Sequence, residues 1–193
     1  EAANPRGFST VFTYDSLNRV TKIEKPLGDS TKYEYDAAGN LITLTEPGGR
    51  VSEFKYDAND RLTELTDPIK STMEYEYDSM GNRIRNTNAL GNTTTYEYDD
   101  MNRVTKVTDP LGNAHSYEYD ARGNVSAHTD PMGNETTYRY DKMSRLITTT
   151  DPMGGSRNYL YDHLGNVSMT GNENGNSRQY DYHPTGHLKS IAD

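Results

Sequence analysis

The side chains best placed to do chemistry in this sequence are aspartates. Asp15, Asp36, Asp57, Asp78, Asp99, Asp120, Asp141 and Asp162 recur every 21 residues. Such a row has two chemical readings. Clustered carboxylates do general acid–base work or supply the six to eight oxygens that Ca2+ takes. An aspartate at the head of a tight turn instead accepts hydrogen bonds from its own main chain. The spacing favours the turn, because copies two strands apart are separated by about 10 Å, near the Debye length, and neither share a cation nor strongly perturb each other. The densest cluster, Asp57-Ala58-Asn59-Asp60, lacks the glycine and closing glutamate of an EF-hand loop. The histidines His115, His128, His163, His183 and His187 occupy unrelated repeat positions, as drift on a solvated surface produces, and imply no metal site. His183 and His187 have i, i+4 spacing, but here they flank a turn and not a helix. No nucleophile elbow, phosphate-binding glycine loop or metalloprotease motif is present, and the glycines fall at turn positions. The expectation is a chain with no catalysis, no cofactor and no metal.

The elements that carry the aspartates are read from the aromatics. Tyr14, Tyr35, Tyr56, Tyr77, Tyr98, Tyr119, Tyr140, Tyr161 and Tyr182 are each 21 residues apart, and two positions before each lies Phe12, Tyr33, Phe54, Tyr75, Tyr96, Tyr117, Tyr138, Tyr159 or Tyr180. Only Phe8 falls outside the scheme. Aromatics at i and i+2 share one face of a strand, and the residue between them, as in Glu34, Glu76 and Glu118, takes the wetter face. After the second tyrosine, Asp with Gly three residues on (Asp120-Ala121-Arg122-Gly123) fits a type I turn. A second strand follows, such as Val104-Thr105-Lys106-Val107, and ends in Asp109-Pro110-Leu111-Gly112, where proline's fixed φ suits the second turn position. Each repeat is one hairpin. The expected fold is all-β, a repetitive antiparallel β-hairpin strip, as a curved ribbon or partial shell: a lead-in over residues 1–11, then nine repeats over 12–193 in one continuous β strip. With strands about 4.8 Å apart the ribbon would run on the order of 85 Å, one face carrying a ladder of paired aromatics in place of a core.

A second period overlies the first. The turn exits alternate between Asn18-Arg19, Asp60-Arg61, Asn102-Arg103 and Ser144-Arg145 on one hand and Gly39-Asn40, Gly81-Asn82, Gly123-Asn124 and Gly165-Asn166 on the other. Alternate hairpins either present a row of cations or descend from duplication of a two-repeat unit, which is the plainer reading.

Bulk properties narrow the function classes. The hydrophobic fraction of 32% is too low for a thick core, and the net charge of −9 argues against nucleic acid or an anionic membrane as partner. No run of apolar residues is long enough to insert in a membrane, and with no cysteine there is neither a disulfide framework nor a thiolate site. The N-terminus has no secretory signal and the C-terminus stops within a repeat, so the chain reads as cut from a longer protein. Asn92, Asn124, Asn134 and Asn166 begin glycosylation sequons, which in an Asn- and Thr-rich chain also arise by coincidence.

Tyr-x-Tyr-Asp-x-x-Gly, an apolar strand and Asp-Pro-x-Gly in register closely resemble the Rhs or YD-repeat family, the clearest copy running from Asp109 to Val125. The resemblance covers about Phe12 to Ile191 and picks out as structural repeat residues Tyr33, Tyr35, Asp36, Tyr75, Tyr77, Asp78, Tyr96, Tyr98, Asp99, Tyr117, Tyr119, Asp120, Gly123, Tyr138, Tyr140, Asp141, Tyr159, Tyr161 and Asp162. It implies a large secreted or cell-surface protein, mostly bacterial, whose β-strip forms a shell around a toxic C-terminal domain. The partners it implies are the remainder of the parent shell and an enclosed toxin domain. Departures are the split of the family's Gly-Arg pair, Asn88-Ala89 in place of Asp-Pro, and His183 in place of the last Asp. No self-cleaving boundary motif or toxin domain is present. The leading expectation is therefore a structural shell or stalk segment. The alternatives are an adhesion module whose tyrosines stack on carbohydrate or a cell-surface protein, and a homo-oligomeric filament through open strand edges.

Overall fold

The computed structural model describes residues 2–3, 9–26 and 28–193, so Phe8 lies outside the described residues. Every regular element among them is a β-strand; with no helix, none is long and apolar enough to cross a membrane. The chain divides into two compact units, residues 1–95 and 96–193. The first holds β1 (Ala2–Ala3), β2 (Ser9–Tyr14), β3 (Val20–Glu24), β4 (Ser30–Tyr35), β5 (Leu41–Glu46), β6 (Arg50–Tyr56), β7 (Leu62–Thr66), β8 (Thr72–Tyr77) and β9 (Arg83–Thr87), and the boundary falls inside β10 (Thr93–Tyr98). The second holds β11 (Val104–Thr108), β12 (Ala114–Tyr119), β13 (Val125–Thr129), β14 (Glu135–Tyr140), β15 (Leu146–Thr150), β16 (Ser156–Tyr161), β17 (Val167–Asn172), β18 (Ser177–Tyr182) and β19 (Leu188–Ala192). Within each unit successive strands pair antiparallel, hairpin after hairpin. Inside the expected lead-in, Ala2 and Ala3 already pair with Thr10 and Ser9.

The turns follow from the residues at their heads. In Asp120–Asn124 the Gly123 amide donates to the Asp120 carbonyl (3.0 Å) and the Asp120 amide to the Asn124 carbonyl (2.8 Å), with Gly123 at φ +88°. This is a type I turn closed by a left-handed residue, the common three-residue hairpin loop. The same pair of bonds closes the turn at the other end of the hairpin, Asp109–Asn113.

Each unit is a sheet one layer thick. Among the described residues Ala127, 5% exposed, is the one buried hydrophobic side chain. Stability is therefore a sum of contacts between neighbouring hairpins, as in other repeat architectures.

The expected aromatic ladder needs correcting. Aromatic strands alternate with aliphatic ones, so Tyr33 faces Leu44, Tyr35 faces Leu41, Phe54 faces Leu65 and Tyr138 faces Thr149. Aromatics of successive repeats are two strands apart, about 10 Å, too far for direct ring stacking. The opposite face carries cross-strand ion pairs, Lys55 with Glu64 and Arg85 with Glu76, each at 2.9 Å.

Eight of the hairpins hold a β-bulge not expected from the sequence. Glu118 pairs with Ala127 but Tyr119 pairs with Val125, leaving Ser126 unmatched, and the same slip recurs beside Tyr14, Tyr35, Tyr56, Tyr77, Tyr140, Tyr161 and Tyr182.

Candidate functional site

The repeat residues form one small constellation, copied along the chain. Its first part is the aspartate. Asp120 Oδ1 accepts the amides of Arg122 (2.8 Å) and Asn124 (3.0 Å), and Oδ2 accepts the Asn124 side-chain amide (2.9 Å). Asp78 and Asp162 bond in the same way; Asp36 takes the Gly39 and Asn40 amides and the Asn40 side chain. At Asp99 and Asp141 the last donor is Nε of Arg103 or Arg145, at 2.7 Å. These donors hold the carboxyls below their ordinary range: the side-chain bond from Asn124 leads for Asp120, that from Arg103 for Asp99, and the Arg145 amide for Asp141. The oxygens already serve the turn.

The departures obey the same rule. Asn88 uses its amide oxygen to accept the Leu90 and Asn92 amides, each at 3.0 Å. His183 keeps the two backbone bonds of the turn, each 2.8 Å.

The second part is the tyrosine that precedes the aspartate. The phenols of Tyr35, Tyr56, Tyr77, Tyr119, Tyr161 and Tyr182 donate to the carbonyls of Val20, Leu41, Leu62, Val104, Leu146 and Val167, at 2.7–3.0 Å. Val20, Leu41, Leu62, Leu146 and Val167 each stand at the bulge of the preceding hairpin. A bulge breaks the ladder and frees a main-chain group, and the phenol satisfies it. Burial pushes the phenol pKa of Tyr56, Tyr119 and Tyr140 upward. The earlier aromatics Tyr33, Tyr75, Tyr96, Tyr117, Tyr138 and Tyr159 are half-buried, as are Tyr98 and Tyr140.

The third part explains the 42-residue period. Arg103 bonds Asp99 in its own turn, stacks over the Tyr119 ring at 4.4 Å and donates to the Asp120 carbonyl at 3.4 Å. Arg19 does the same to Tyr35 and Asp36, and Arg61 to Tyr77 and Asp78; Arg145 stacks on Tyr161. The arginine tip lies over the next turn's glycine, 3.6 Å from where a Cβ on Gly39 would stand and 3.9 Å on Gly81 or Gly123. Those are ordinary contact distances, and Gly165 after Arg145 has nothing within 4 Å; glycine is favoured at these positions by the left-handed backbone, φ +88° to +104°. In the other hairpins the exit residue is Asn, which reaches a polar residue instead: Asn40 to Asp60 (2.7 Å) and Asn124 to Ser144 (3.2 Å). The arginines are inter-repeat clamps and not a displayed row of cations.

The fourth part is the turn tips, to which the sequence reading gave no role. In the Asp-Pro turns and the Asn88-Ala89 turn that replaces one of them, the third residue is Ile69, Leu90, Leu111, Met132 or Met153, exposed by 82–96%. Five of the turns after Tyr-Asp carry Leu17, Met80, Met101, Met143 and Leu164 at the same place, also exposed, and the other three carry Ala38, Asn59 and Arg122. Their backbone amides serve the aspartate, but an apolar side chain is not needed for that. The signal was present in the sequence as apolar residues at a turn position that polar residues usually fill.

The histidines correct the expectation of scattered surface drift. His115 on β12 and His128 on β13 are brought together, Nδ1 to Nε2 at 3.0 Å, with Tyr117 packed on His128 at 5.1 Å. Positions 4 before and 9 after a repeat tyrosine look unrelated in sequence, and hairpin pairing makes them neighbours.

A sheet of tyrosine-clasped hairpins with no enclosed core defines a structural repeat protein. The Teneurin YD-shell family profile matches residues 51–193 and the RHS Repeat profile residues 14–51. The chain belongs to the Teneurin YD-shell family. No curated protein matches it. Among solved structures, TcdB2-TccC3-Cdc42 aligns at a TM-score of 0.61 and 21% identity, over 93% of this chain and 12% of that one. A Photorhabdus luminescens Tc holotoxin pore with a mutated TccC3 gives 0.64 and 17%, over 95% and 14%. TcdB2-TccC3 without its hypervariable C-terminal region gives 0.63 and 20%, over 97% and 12%. The chain thus spans 12–14% of the length of these structures.

Proposed function

We propose that this chain is a wall segment of a larger secreted or cell-surface shell, enclosing or displaying another domain and performing no catalysis. The observation that carries the reading is the pair of apolar rims. Leu111, Met132 and Met153, 87–96% exposed, recur once per hairpin along one set of turns; along the other stand Met101, Met143 and Leu164, with Arg122 between the first two. Regular exposed apolar rows mark surfaces that are covered in use. Neighbouring repeats of the same kind suit them, because they present matching rows at the same spacing. The repeat tyrosines and aspartates are then the internal fastenings of the wall over residues 12–193. Their phenols and carboxylates are engaged within the sheet, which leaves little for an adhesion surface. Family membership supports the shell, and an enclosed toxin domain is the cargo that the family resemblance suggests.

A thiol-protection experiment tests this. The chain has no cysteine, so Leu111→Cys or Met132→Cys introduces a single reporter. Maleimide reaction is expected to be fast in the 193-residue chain and at least tenfold slower in the full-length gene product. Equal rates in both would mean that nothing covers the rim.

A further inference from the structure

We infer that His115 and His128 form a cross-strand site for one divalent transition-metal ion such as Ni2+ or Zn2+. Of the five histidines these two are half-buried, whereas His163, His183 and His187 are exposed. Their rings are nearly coplanar, 6° apart, with centroids at 5.2 Å and the facing nitrogens at 3.0 Å, so one proton is shared along the line between them. Two imidazoles on one metal at about 2.0–2.1 Å place their nitrogens about 2.9 Å apart at a right angle and about 3.3 Å apart at the tetrahedral angle. The observed separation already falls in that span, and metal entry requires the rings to tilt but not the strands to part. The proton between the rings moves to the outer nitrogen of the ring that carried it, so a neutral pair binds metal with no net proton release. Tyr117, packed against His128, limits the reorientation of that ring. The Asp130 carboxylate, two residues beyond His128, has its oxygens engaged by the Met132 and Asn134 amides and the Asn134 side chain.

The histidines are not needed for the fold. One repeat later the equivalent positions are Thr136 and Thr149, on the same kind of strand pair. No group of three or more His, Cys, Asp or Glu able to hold a metal occurs among the described residues, so water completes the coordination and affinity is modest. Nitrogen ligands of this kind favour Ni2+ at least as well as Zn2+ in the general order of divalent ions.

The test is calorimetric titration of the full chain with NiCl2 and ZnCl2 at pH 7.5 and pH 5.5. One ion is expected to bind at pH 7.5 and more weakly at pH 5.5, because protons compete with the metal for the ring nitrogens. His115→Thr and His128→Thr, which restore the neighbouring repeat's residues and leave folding intact, should each reduce affinity at least tenfold. His183→Ala with His187→Ala should leave it unchanged. Absence of binding at millimolar metal, or binding lost with His183 and His187 but kept without His115, would overturn the assignment.

Discussion

Removing one phenol oxygen tests how a sheet without a core is held. In Tyr119→Phe the ring stays, and with it the Arg103 stacking at 4.4 Å; what is lost is the 2.7 Å bond to the Val104 carbonyl. A net intramolecular hydrogen bond is worth about 0.5–1.5 kcal/mol, and the acceptor here is half-buried, so about 1 kcal/mol is expected, near a fivefold change in the opening equilibrium. Taking a urea m-value of about 2 kcal/mol/M for a chain of this size, the midpoint falls by about 0.5 M. Tyr119→Ala also loses the ring contacts and should cost about 2–3 kcal/mol, below the range for fully buried aromatics. Urea unfolding followed by circular dichroism gives the midpoints, and hydrogen exchange over β11 and β12 localises the effect. Stability unchanged in the Phe variant, or a loss as large as that of Ala, would refute the role assigned to the phenol.

Three further outcomes are expected. Arg103→Lys keeps the charge but forfeits the planar stacking and fork geometry, so the thermal midpoint should drop by a few degrees; Asn124→Ala, read in the same calorimeter, should drop it less. The turn aspartates have lowered pKa values in the folded chain, so the unfolded chain binds protons first on acidification. Their stabilising contribution is whole above about pH 4 and is lost as pH falls through the lower folded values; acid unfolding monitored by circular dichroism should therefore begin below about pH 4. The triple variant Leu111→Glu, Met132→Glu, Met153→Glu should change the stability of the isolated chain by no more than about 1.5 kcal/mol, since surface changes are each within about 0.5 kcal/mol, while proteolytic protection of the rim in the full-length product is lost.

Much of this architecture was legible in the sequence because each level of the repeat agrees with the others. The i, i+2 aromatics, Asp with Gly three residues on, and Asp-Pro fixed the strands and turns, and the carboxylate's preference for turn amides predicted the bonds of Asp120 without reference to tertiary structure. What escaped depends on contacts between strands. The bulge at Tyr119 is a one-residue slip set by pairing and not by any local motif. The arginine clamp is invisible along the chain because Arg103 and its Asp120 carbonyl are 17 residues apart, although the alternation of Gly and Arg was its trace. The His115–His128 meeting likewise needs the register of β12 on β13.

The measurement that bears most directly on the shell reading is a cryo-electron microscopy map of the full-length gene product. The account predicts a closed wall in which Leu111, Met132 and Met153 on one rim and Met101, Met143 and Leu164 on the other pack against adjoining repeats. A map with both rims open to solvent and no enclosed volume would contradict it.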